Sequence, residues 1–141
     1  LPLKDCSVDV VYGMAILHHL DLALASDEVF RVLKSGGRAI FLEPVRNSKL
    51  VKFIRNLIPY TSPDVSPYER PLTDAELQTF AAKFVSCESR AFNLPFVNLI
   101  ETLGLSDGLL RAAIKLDGKI LRMLPFLKHF ATVRVVEMRK G

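Results

Sequence analysis

The chain has 141 residues and a mass of 15.8 kDa, enough for one domain or for part of a larger one. Half of the residues are hydrophobic, 24% are charged and the mean hydropathy is +0.25, which excludes an intrinsically disordered chain. The net charge is only +4, and charged residues interrupt every apolar run before it reaches the length of a membrane-spanning helix. The two cysteines make no disulfide framework and no Cys/His cluster has zinc spacing. We therefore predict no metal site and a reducing, cytoplasmic compartment.

The first third of the chain has the pattern of a β-α-β unit. Residues 8–13 are a short β-branched run that ends in glycine, which is typical of a buried strand. Residues 22–34 follow with a helical spacing of apolar side chains, and the glycine pair at 36–37 marks the end of this helix. Residues 38–43 form a second apolar strand. Two strands connected through a helix usually pair in parallel, so the sequence predicts an α/β fold.

Signals for the start of a helix occur at two places. Asp21 and Ser26 are candidate caps for the helix at 22–34. Thr73 and Glu76 have the spacing of a capping box, in which each side chain accepts a hydrogen bond from the backbone N–H of the other residue. The remaining predicted elements are a helix at 45–58, a proline-rich loop at 59–71, a strand at 85–92, helices at 97–104 and 107–124, and a strand at 130–138.

The predicted helix at 107–124 contains one conflict. Asp117 falls within its apolar arc, and Asp117-Gly118 is also a turn signal. Either the helix breaks at this point, or Asp117 is a polar group on a wall that faces a ligand. We expect the break, because a lone buried carboxylate is energetically costly.

Two of the predicted helices have a basic face opposite an apolar one. These faces consist of Lys49, Lys52 and Arg55 in the helix at 45–58, and of Arg111, Lys115, Lys119 and Arg122 in the helix at 107–124. Neither face interleaves its charges with exposed aromatic side chains, so we predict no nucleic-acid partner. Two interpretations remain, namely solvated helix faces or surfaces that meet a membrane or an acidic partner.

Polar side chains that are candidates for chemistry follow the two predicted strands. His18 and His19 come after the first strand, and Glu43 ends the second. The carboxyl ends of parallel strands are where ligands bind in open α/β sheets. A metal shared by the histidines lacks a third ligand, which leaves a general base in a pocket or a histidine bonded to the backbone. Glu43 either faces the pocket or caps the next helix.

Two stretches within residues 1–44 are similar to one protein family. The first is Leu-Pro-Leu-Lys-Asp-Cys-Ser-Val-Asp-Val-Val at 1–11, followed by Leu-His-His at 17–19, and the second is Arg-Val-Leu-Lys-Ser-Gly-Gly at 31–37. In this order and at this spacing they resemble the small-molecule branch of the class I S-adenosylmethionine-dependent methyltransferases. Val8 stands where that family usually has Phe, and Ser35 where it usually has Pro. Beyond residue 44 the resemblance holds only in outline.

The resemblance implies an α/β fold that is the second half of a Rossmann-like methyltransferase sheet, with parallel strands, a final antiparallel strand and inserted lid helices. It also implies S-adenosylmethionine as the cofactor, because in the family the backbone after the corresponding strand faces the methionine and methyl end of that molecule. The residues carried over to this role are Tyr12, Gly13, Met14, Ala15 and His18. The glycine-rich loop of the family corresponds to positions before Leu1. We therefore expect residues 1–141 to be the C-terminal portion of one methyltransferase domain and to be inactive alone.

The activity that the resemblance implies is methyl transfer to a small acceptor. Where the acceptor needs a base, the catalytic candidates are His18, His19 and Glu43, in that order. Segments 45–71 and 94–128 are expected to be lid insertions, and their apolar side chains predict a lipophilic or aromatic acceptor.

Membrane contact is a further expectation, because the basic helices at 45–58 and 107–124 suit anionic headgroups. The alternative from a different class is a non-catalytic, methyltransferase-like module that binds a partner or a membrane surface.

Overall fold

The computed structural model describes residues 1–48 and 70–141. In chain order its elements are strand β1 (Val8–Met14), a 3₁₀ turn (Leu17–His19), helix α1 (Leu22–Val32), strand β2 (Leu33–Pro44), helix α2 (Asp74–Ala81), strand β3 (Ser86–Phe92), helix α3 (Pro95–Thr102), helix α4 (Asp107–Met123), a second 3₁₀ segment (Pro125–Phe130) and strand β4 (Val133–Arg139). The predicted helix at 45–58 falls largely in 49–69, outside the described residues.

The first four residues of that predicted helix are described, and they are not helical. Val45 forms a parallel β-bridge with Leu72, and its N–H donates to the carbonyl of Thr132 at 2.7 Å. The N–H of Arg46 donates to the carbonyl of Leu72 at 2.8 Å. The prediction of a helix from residue 45 is therefore wrong, because hydrogen bonds to distant residues keep this backbone extended.

The four strands form one sheet in the order β1-β2-β4-β3. Strands β1 and β2 are parallel, whereas β4 runs antiparallel to both β2 and β3. The predicted α/β fold, with parallel strands and a final antiparallel strand, is confirmed. Pro44 pairs with Val133, and Val133 pairs with Phe92. The carboxyl ends of β1, β2 and β3 therefore lie at the same edge of the sheet, which we call the carboxyl edge.

One face of the sheet is buried beneath α1 and α2. Strand alternation turns Ala39, Phe41, Val136 and Met138 toward these helices, and each is at most 3% exposed. The ring of Phe41 packs edge to face on Phe80 of α2, with 5.5 Å between the ring centroids. Each large apolar side chain buried in this way contributes about 1.5–3 kcal/mol, so this face holds the main core.

The opposite face is uncovered in the described part of the chain. Val10, Tyr12 and Met14 of β1 expose 52%, 83% and 72% of their surface on it. Because β1 is also the edge strand of the described sheet, an apolar face and an unpaired strand edge meet at these residues.

The predicted helix caps are present. Asp21 rather than Ser26 caps α1, since its Oδ1 accepts hydrogen bonds from the N–H groups of Ala23 and Leu24 at 2.9 and 3.0 Å. The capping box of Thr73 and Glu76 at the start of α2 is confirmed, with both reciprocal hydrogen bonds formed.

Helix α1 ends at Val32, two residues before the predicted end at 34. The buried Lys140 ammonium donates to the carbonyls of Phe30 and Leu33 at 2.7 Å each. These bonds satisfy carbonyls that a longer helix would use itself. The chain then turns through Gly36, whose φ of +76° is the left-handed conformation that glycine adopts without strain.

Helix α4 is continuous from Asp107 to Met123, so the predicted break at Asp117-Gly118 is wrong. Asp117 is 2% exposed, and its carboxylate accepts hydrogen bonds from the N–H groups of Leu94 and Asn93 at 2.8 and 3.1 Å. These bonds offset the cost of burial that an unpaired carboxylate would carry. Because both oxygens bind backbone, Asp117 also does not face a ligand. It ties α4 to the carboxyl end of β3.

Candidate active site at the carboxyl edge of the sheet

Glu43 is the most completely buried acidic side chain of the described residues, with no exposed surface. Its Oε1 atom accepts hydrogen bonds from the backbone N–H groups of Ile16 and Leu17 at 2.9 and 2.8 Å. Glu43 thus fixes the start of the 3₁₀ turn that follows β1, rather than capping the helix that was predicted after it. Of the two histidines that follow β1, the structure brings His18 against Glu43 at the carboxyl edge.

His18 is held by the second oxygen of the same carboxylate. Its Nδ1 atom lies 2.9 Å from Oε2 of Glu43, and its side chain is only 6% exposed. Because a carboxylate can only accept, we assign a ring proton to Nδ1, and in the neutral form of the imidazole Nε2 then carries the lone pair. The prediction of a backbone-bonded histidine is replaced by a carboxylate–histidine pair. Such a pair fixes both the tautomer and the orientation of the ring.

His19 is exposed and stacks beside His18. The two ring centroids are 4.0 Å apart and the rings are inclined by 38°. His19 contacts neither oxygen of Glu43, so only one of the two predicted histidines is fixed by the carboxylate.

The turn between β1 and His18 depends on two small residues. A Cβ atom at Gly13 would lie 2.7 Å from Phe41 and from Ile16, so only glycine lets β1 pack this closely. Ala15 has a φ of +50°, a left-handed conformation that costs a residue with a Cβ about 1–2 kcal/mol. Its N–H donates to the carbonyl of Leu42 at 2.8 Å, which ties the strained turn to β2.

The residues predicted to contact the cofactor are divided between the two faces of the sheet. Tyr12 and Met14 expose their side chains on the uncovered face, whereas Gly13 lies against the core. Ala15 is exposed at the turn, and His18 is buried beside Glu43. The structure therefore brings His18 and Glu43 together, and residues 12–15 lie at the carboxyl end of the edge strand β1.

Arg134 is a buried neighbour of the site that the sequence reasoning missed. It lies directly opposite Glu43 in the β2–β4 register and is 3% exposed. Its guanidinium binds Asp74 of α2 at 2.8 and 2.9 Å and donates to the carbonyl of Lys128 at 2.7 Å. The available signal was an arginine in β4 on the same face as the apolar Val136 and Met138.

Two classes of feature are absent from the part of the chain that the structure describes. No three His, Cys, Asp or Glu side chains in it are grouped as a metal site requires. Over the same residues, no helix combines the length and the hydropathy that crossing a bilayer takes.

Comparison with known proteins agrees with this geometry. A family model described as a methyltransferase domain matches residues 1–41, the segment that carries β1, the turn and His18. No curated protein is significantly similar to the chain in sequence.

Several solved structures share the fold. A possible histamine N-methyltransferase from Thermotoga maritima aligns with a TM-score of 0.61 and 20% identity, over 100% of this chain and 60% of its own. A second structure is a geranyl diphosphate C-methyltransferase from Streptomyces coelicolor A3(2), solved with Mg²⁺, geranyl diphosphate and S-adenosyl-L-homocysteine. It aligns with a TM-score of 0.55 and 18% identity, over 99% of this chain and 48% of its own. A SAM-dependent methyltransferase from Archaeoglobus fulgidus aligns with a TM-score of 0.54 and 15% identity, over 98% of this chain and 62% of its own.

The chain therefore has the fold of the S-adenosylmethionine-dependent methyltransferases. It spans between 48% and 62% of the length of these three structures.

Proposed function

We propose that the protein is an enzyme that transfers a methyl group from S-adenosylmethionine to a small molecule. The observation that carries the proposal is the buried His18–Glu43 pair at the carboxyl edge, where open α/β sheets bind their ligands. The match of residues 1–41 to a methyltransferase domain supports the reaction class. The chain spans only part of the length of the structures it resembles, and the proposal concerns the activity of the whole protein.

We assign one wall of the cofactor site to 12–15 and His18. Backbone groups on the outer side of β1 have no strand partner in the described sheet, and carbonyl oxygens there suit the ammonium group of a methionine moiety. The left-handed Ala15 turns the chain so that His18 follows this wall directly. These residues fit one side of such a molecule. When bound, S-adenosylmethionine supplies a methyl group on a sulfonium, which an aligned acceptor attacks in line.

In this proposal His18 is the general base for an acceptor that must lose a proton. Its Nε2 lone pair is available because Nδ1–H is bound to Glu43, and its burial limits access of water to the reacting atoms. Glu43 is a positioning residue, since both of its oxygens are already occupied. His19, exposed beside His18, is the second candidate to contact the acceptor.

The acceptor that we propose is lipophilic. Asp117 fixes α4 to the carboxyl end of β3, which places the expected lid segment 94–128 at the same edge as His18. Within that segment the exposed large apolar side chains are Leu99, Leu103, Leu105, Leu109, Ile114, Leu116, Met123, Leu124 and Phe126. The geranyl diphosphate C-methyltransferase, which shares the fold, was solved with a prenyl substrate.

Binding and transfer can be tested separately on the full-length protein. Calorimetry with S-adenosylhomocysteine should show saturable binding that His18→Asn leaves within a few fold. Transfer of labelled methyl from S-adenosylmethionine to prenylated or phenolic acceptors should fall about 100-fold or more in the same variant. His129→Asn, an exposed histidine outside the site, is the matched control. Absence of S-adenosylhomocysteine binding by the wild-type protein would overturn the proposal.

A non-catalytic binding module is the second candidate, and the exposed basic and apolar surface of α4 favours it. That alternative predicts normal folding and partner binding without any affinity for S-adenosylhomocysteine, so the same calorimetry distinguishes the two.

A further inference from the structure

Helix α4 presents three sectors around its axis. Its inner sector packs on the protein and includes the buried Ala113, Asp117 and Leu121. A second sector exposes Leu109, Leu116 and Met123, which are 46%, 52% and 78% exposed. The third sector consists of the exposed cations Arg111, Lys115, Lys119 and Arg122. A helix that needed only to stay solvated would not require the second sector.

The exposed apolar and basic sectors are adjacent. With about 100° between successive residues, Leu109, Leu116 and Met123 fall within about 40° of one another. Lys119 follows about 40° further round the helix, and the other three cations lie within about 80° of it. The exposed half of α4 is thus an apolar strip bordered along one side by positive charge. We call Leu109, Leu116, Met123 and these four cations the α4 surface.

The cations of the α4 surface have no partner in the described part of the chain, unlike several cations near the sheet. None of the four forms an ion pair or hydrogen bond with another residue that the structure describes. In the sheet region, by contrast, Arg31, Lys34, Lys83 and Arg134 are all paired with carboxylates. Four unpaired cations along one helix are complementary to a surface of negative charge.

The chain continues the apolar strip beyond the helix. Leu124 and Phe126 are 44% and 69% exposed in the segment that follows Met123. Aromatic and aliphatic side chains next to Lys and Arg are the composition of helices that lie at the boundary between headgroups and acyl chains.

We infer that the α4 surface binds the face of an anionic lipid bilayer. The helix lies flat on the headgroups, its cations contact lipid phosphate and carboxylate groups, and Leu116, Met123 and Phe126 enter the acyl boundary. This inference goes beyond methyl transfer and does not depend on it. It would bring a membrane-borne acceptor to the carboxyl edge, because Asp117 fixes α4 to that same edge.

Sedimentation of the full-length protein with vesicles tests the inference. The protein should bind vesicles of phosphatidylcholine with 30% phosphatidylserine, and binding should weaken between 50 and 300 mM NaCl. Each cation removed lowers affinity about fivefold, so Lys115→Gln with Lys119→Gln should lower it roughly 25-fold. Lys4→Gln with Arg139→Gln removes the same charge from exposed positions outside α4 and should change affinity less than twofold.

A second variant tests the apolar strip. Leu116→Ser with Met123→Ser should lower vesicle affinity about tenfold while leaving thermal stability unchanged, because both side chains are exposed. Both double variants should bind S-adenosylhomocysteine with wild-type affinity, because the cofactor wall proposed at 12–15 and His18 lies outside α4, and this separates the inference from the proposed reaction.

Three results would overturn the inference. One is equal binding of wild-type protein to vesicles of phosphatidylcholine alone. Another is a loss of affinity in the Lys4/Arg139 control as large as in the Lys115/Lys119 variant. The third is self-association that the α4 variants abolish in sedimentation velocity without any vesicle binding, which would assign the surface to a second copy of the chain.

Discussion

Among residues 1–48 and 70–141, Glu43 and Asp117 are the two buried carboxylates, and their settings are closely alike. Each lies at the carboxyl edge of the sheet and accepts hydrogen bonds from two successive backbone N–H groups where a strand gives way to a helical segment. Each of these junctions also contains a left-handed residue, Ala15 after β1 and Asn93 after β3.

The two carboxylates differ in how their oxygens are used. Asp117 binds one backbone N–H group with each oxygen, so both of its oxygens hold the backbone after β3. Glu43 binds both N–H groups with Oε1 and keeps Oε2 for the ring of His18. The same capping chemistry is therefore purely structural at one place, and at the other it orients a group that can take up a proton.

The largest effect on stability is expected at the structural carboxylate. Asp117→Ala leaves the buried N–H of Leu94 and the partly buried N–H of Asn93 without their carboxylate partner, and it should lower the free energy of unfolding by about 3 kcal/mol, measured by urea denaturation. Asp117→Asn should lose roughly half as much, because its amide oxygen still accepts one bond. Glu101→Ala on the exposed side of α3 is the control, expected within about 0.5 kcal/mol of wild type. If Asp117→Ala loses no more free energy of unfolding than this control, the hydrogen bonds of Asp117 to the backbone after β3 do not stabilise the fold.

The other carboxylate should affect activity more than folding. In Glu43→Gln the amide oxygen can still accept the N–H groups of Ile16 and Leu17, but its NH₂ group then faces Nδ1 of His18. This forces the proton of the ring onto Nε2 and removes the lone pair, so methyl transfer should fall about 10- to 100-fold.

Nitrogen NMR of the His18 ring would report that tautomer change directly, which a merely structural defect would not produce. The exposed Glu88→Gln in β3 serves as the control. If His18 keeps the same tautomer in Glu43→Gln, the assigned role of Glu43 is incorrect.

The two left-handed junctions should respond differently to glycine. Ala15→Gly relieves a Cβ clash and should stabilise the fold by about 0.5–1 kcal/mol after the added chain entropy is subtracted. Asn93→Gly should change stability by no more than about 0.3 kcal/mol, because asparagine tolerates this conformation. Denaturant midpoints of the two variants would show whether strain is concentrated beside His18, as functional sites often show. Equal gains in stability from Ala15→Gly and Asn93→Gly would show that backbone strain is not concentrated beside His18.

The smallest effect concerns Glu76, a carboxylate that caps a helix from the surface. A side-chain hydrogen bond from Arg70 lowers the pKa of Glu76 from 4.5 to about 2. The folded state is therefore stabilised above pH 4.5, and this contribution is lost as the pH falls from 4.5 toward 2. In Glu76→Gln the melting temperature should therefore depend less on pH over that interval. The free energy of unfolding that is lost should be below about 1 kcal/mol, as is typical of exposed ion pairs. If Glu76→Gln loses as much stability between pH 4.5 and pH 2 as the wild-type protein does, the lowered pKa of Glu76 is not the cause of that loss.

Local patterns in the sequence were enough to predict much of the fold. The β-branched run at 8–13 and the capping box at Thr73 each act within a few residues, so the strand and the helix that they mark were predicted correctly. The glycine pair at 36–37 did not mark the end of the helix, because α1 ends at Val32 and both glycines lie within β2. The helix expected from residue 45 failed because Leu72 and Thr132, distant in sequence, hold that backbone extended.

The site was predictable to the same extent. The β-α-β pattern predicts that the first two strands are parallel, so their carboxyl ends lie at the same edge of the sheet. His18 and Glu43 follow or end these strands, and the sequence therefore indicated that both lie at this edge. The use of each carboxylate oxygen was not predictable, since it depends on backbone N–H groups that have no sequence signal. The same reason explains why Asp117 looked like a helix break: its partners, Asn93 and Leu94, lie on another element.

One measurement tests the central claim directly, namely NMR of the full-length protein titrated with S-adenosylhomocysteine. Saturable shifts are expected for the amides of Met14 and Ala15 and for the ring of His18, whereas the amides of Asn93 and Leu94 beside Asp117 should not shift. Shifts that are absent, or that are equal at both carboxylates, would contradict the assignment of the cofactor and base site to the first strand end.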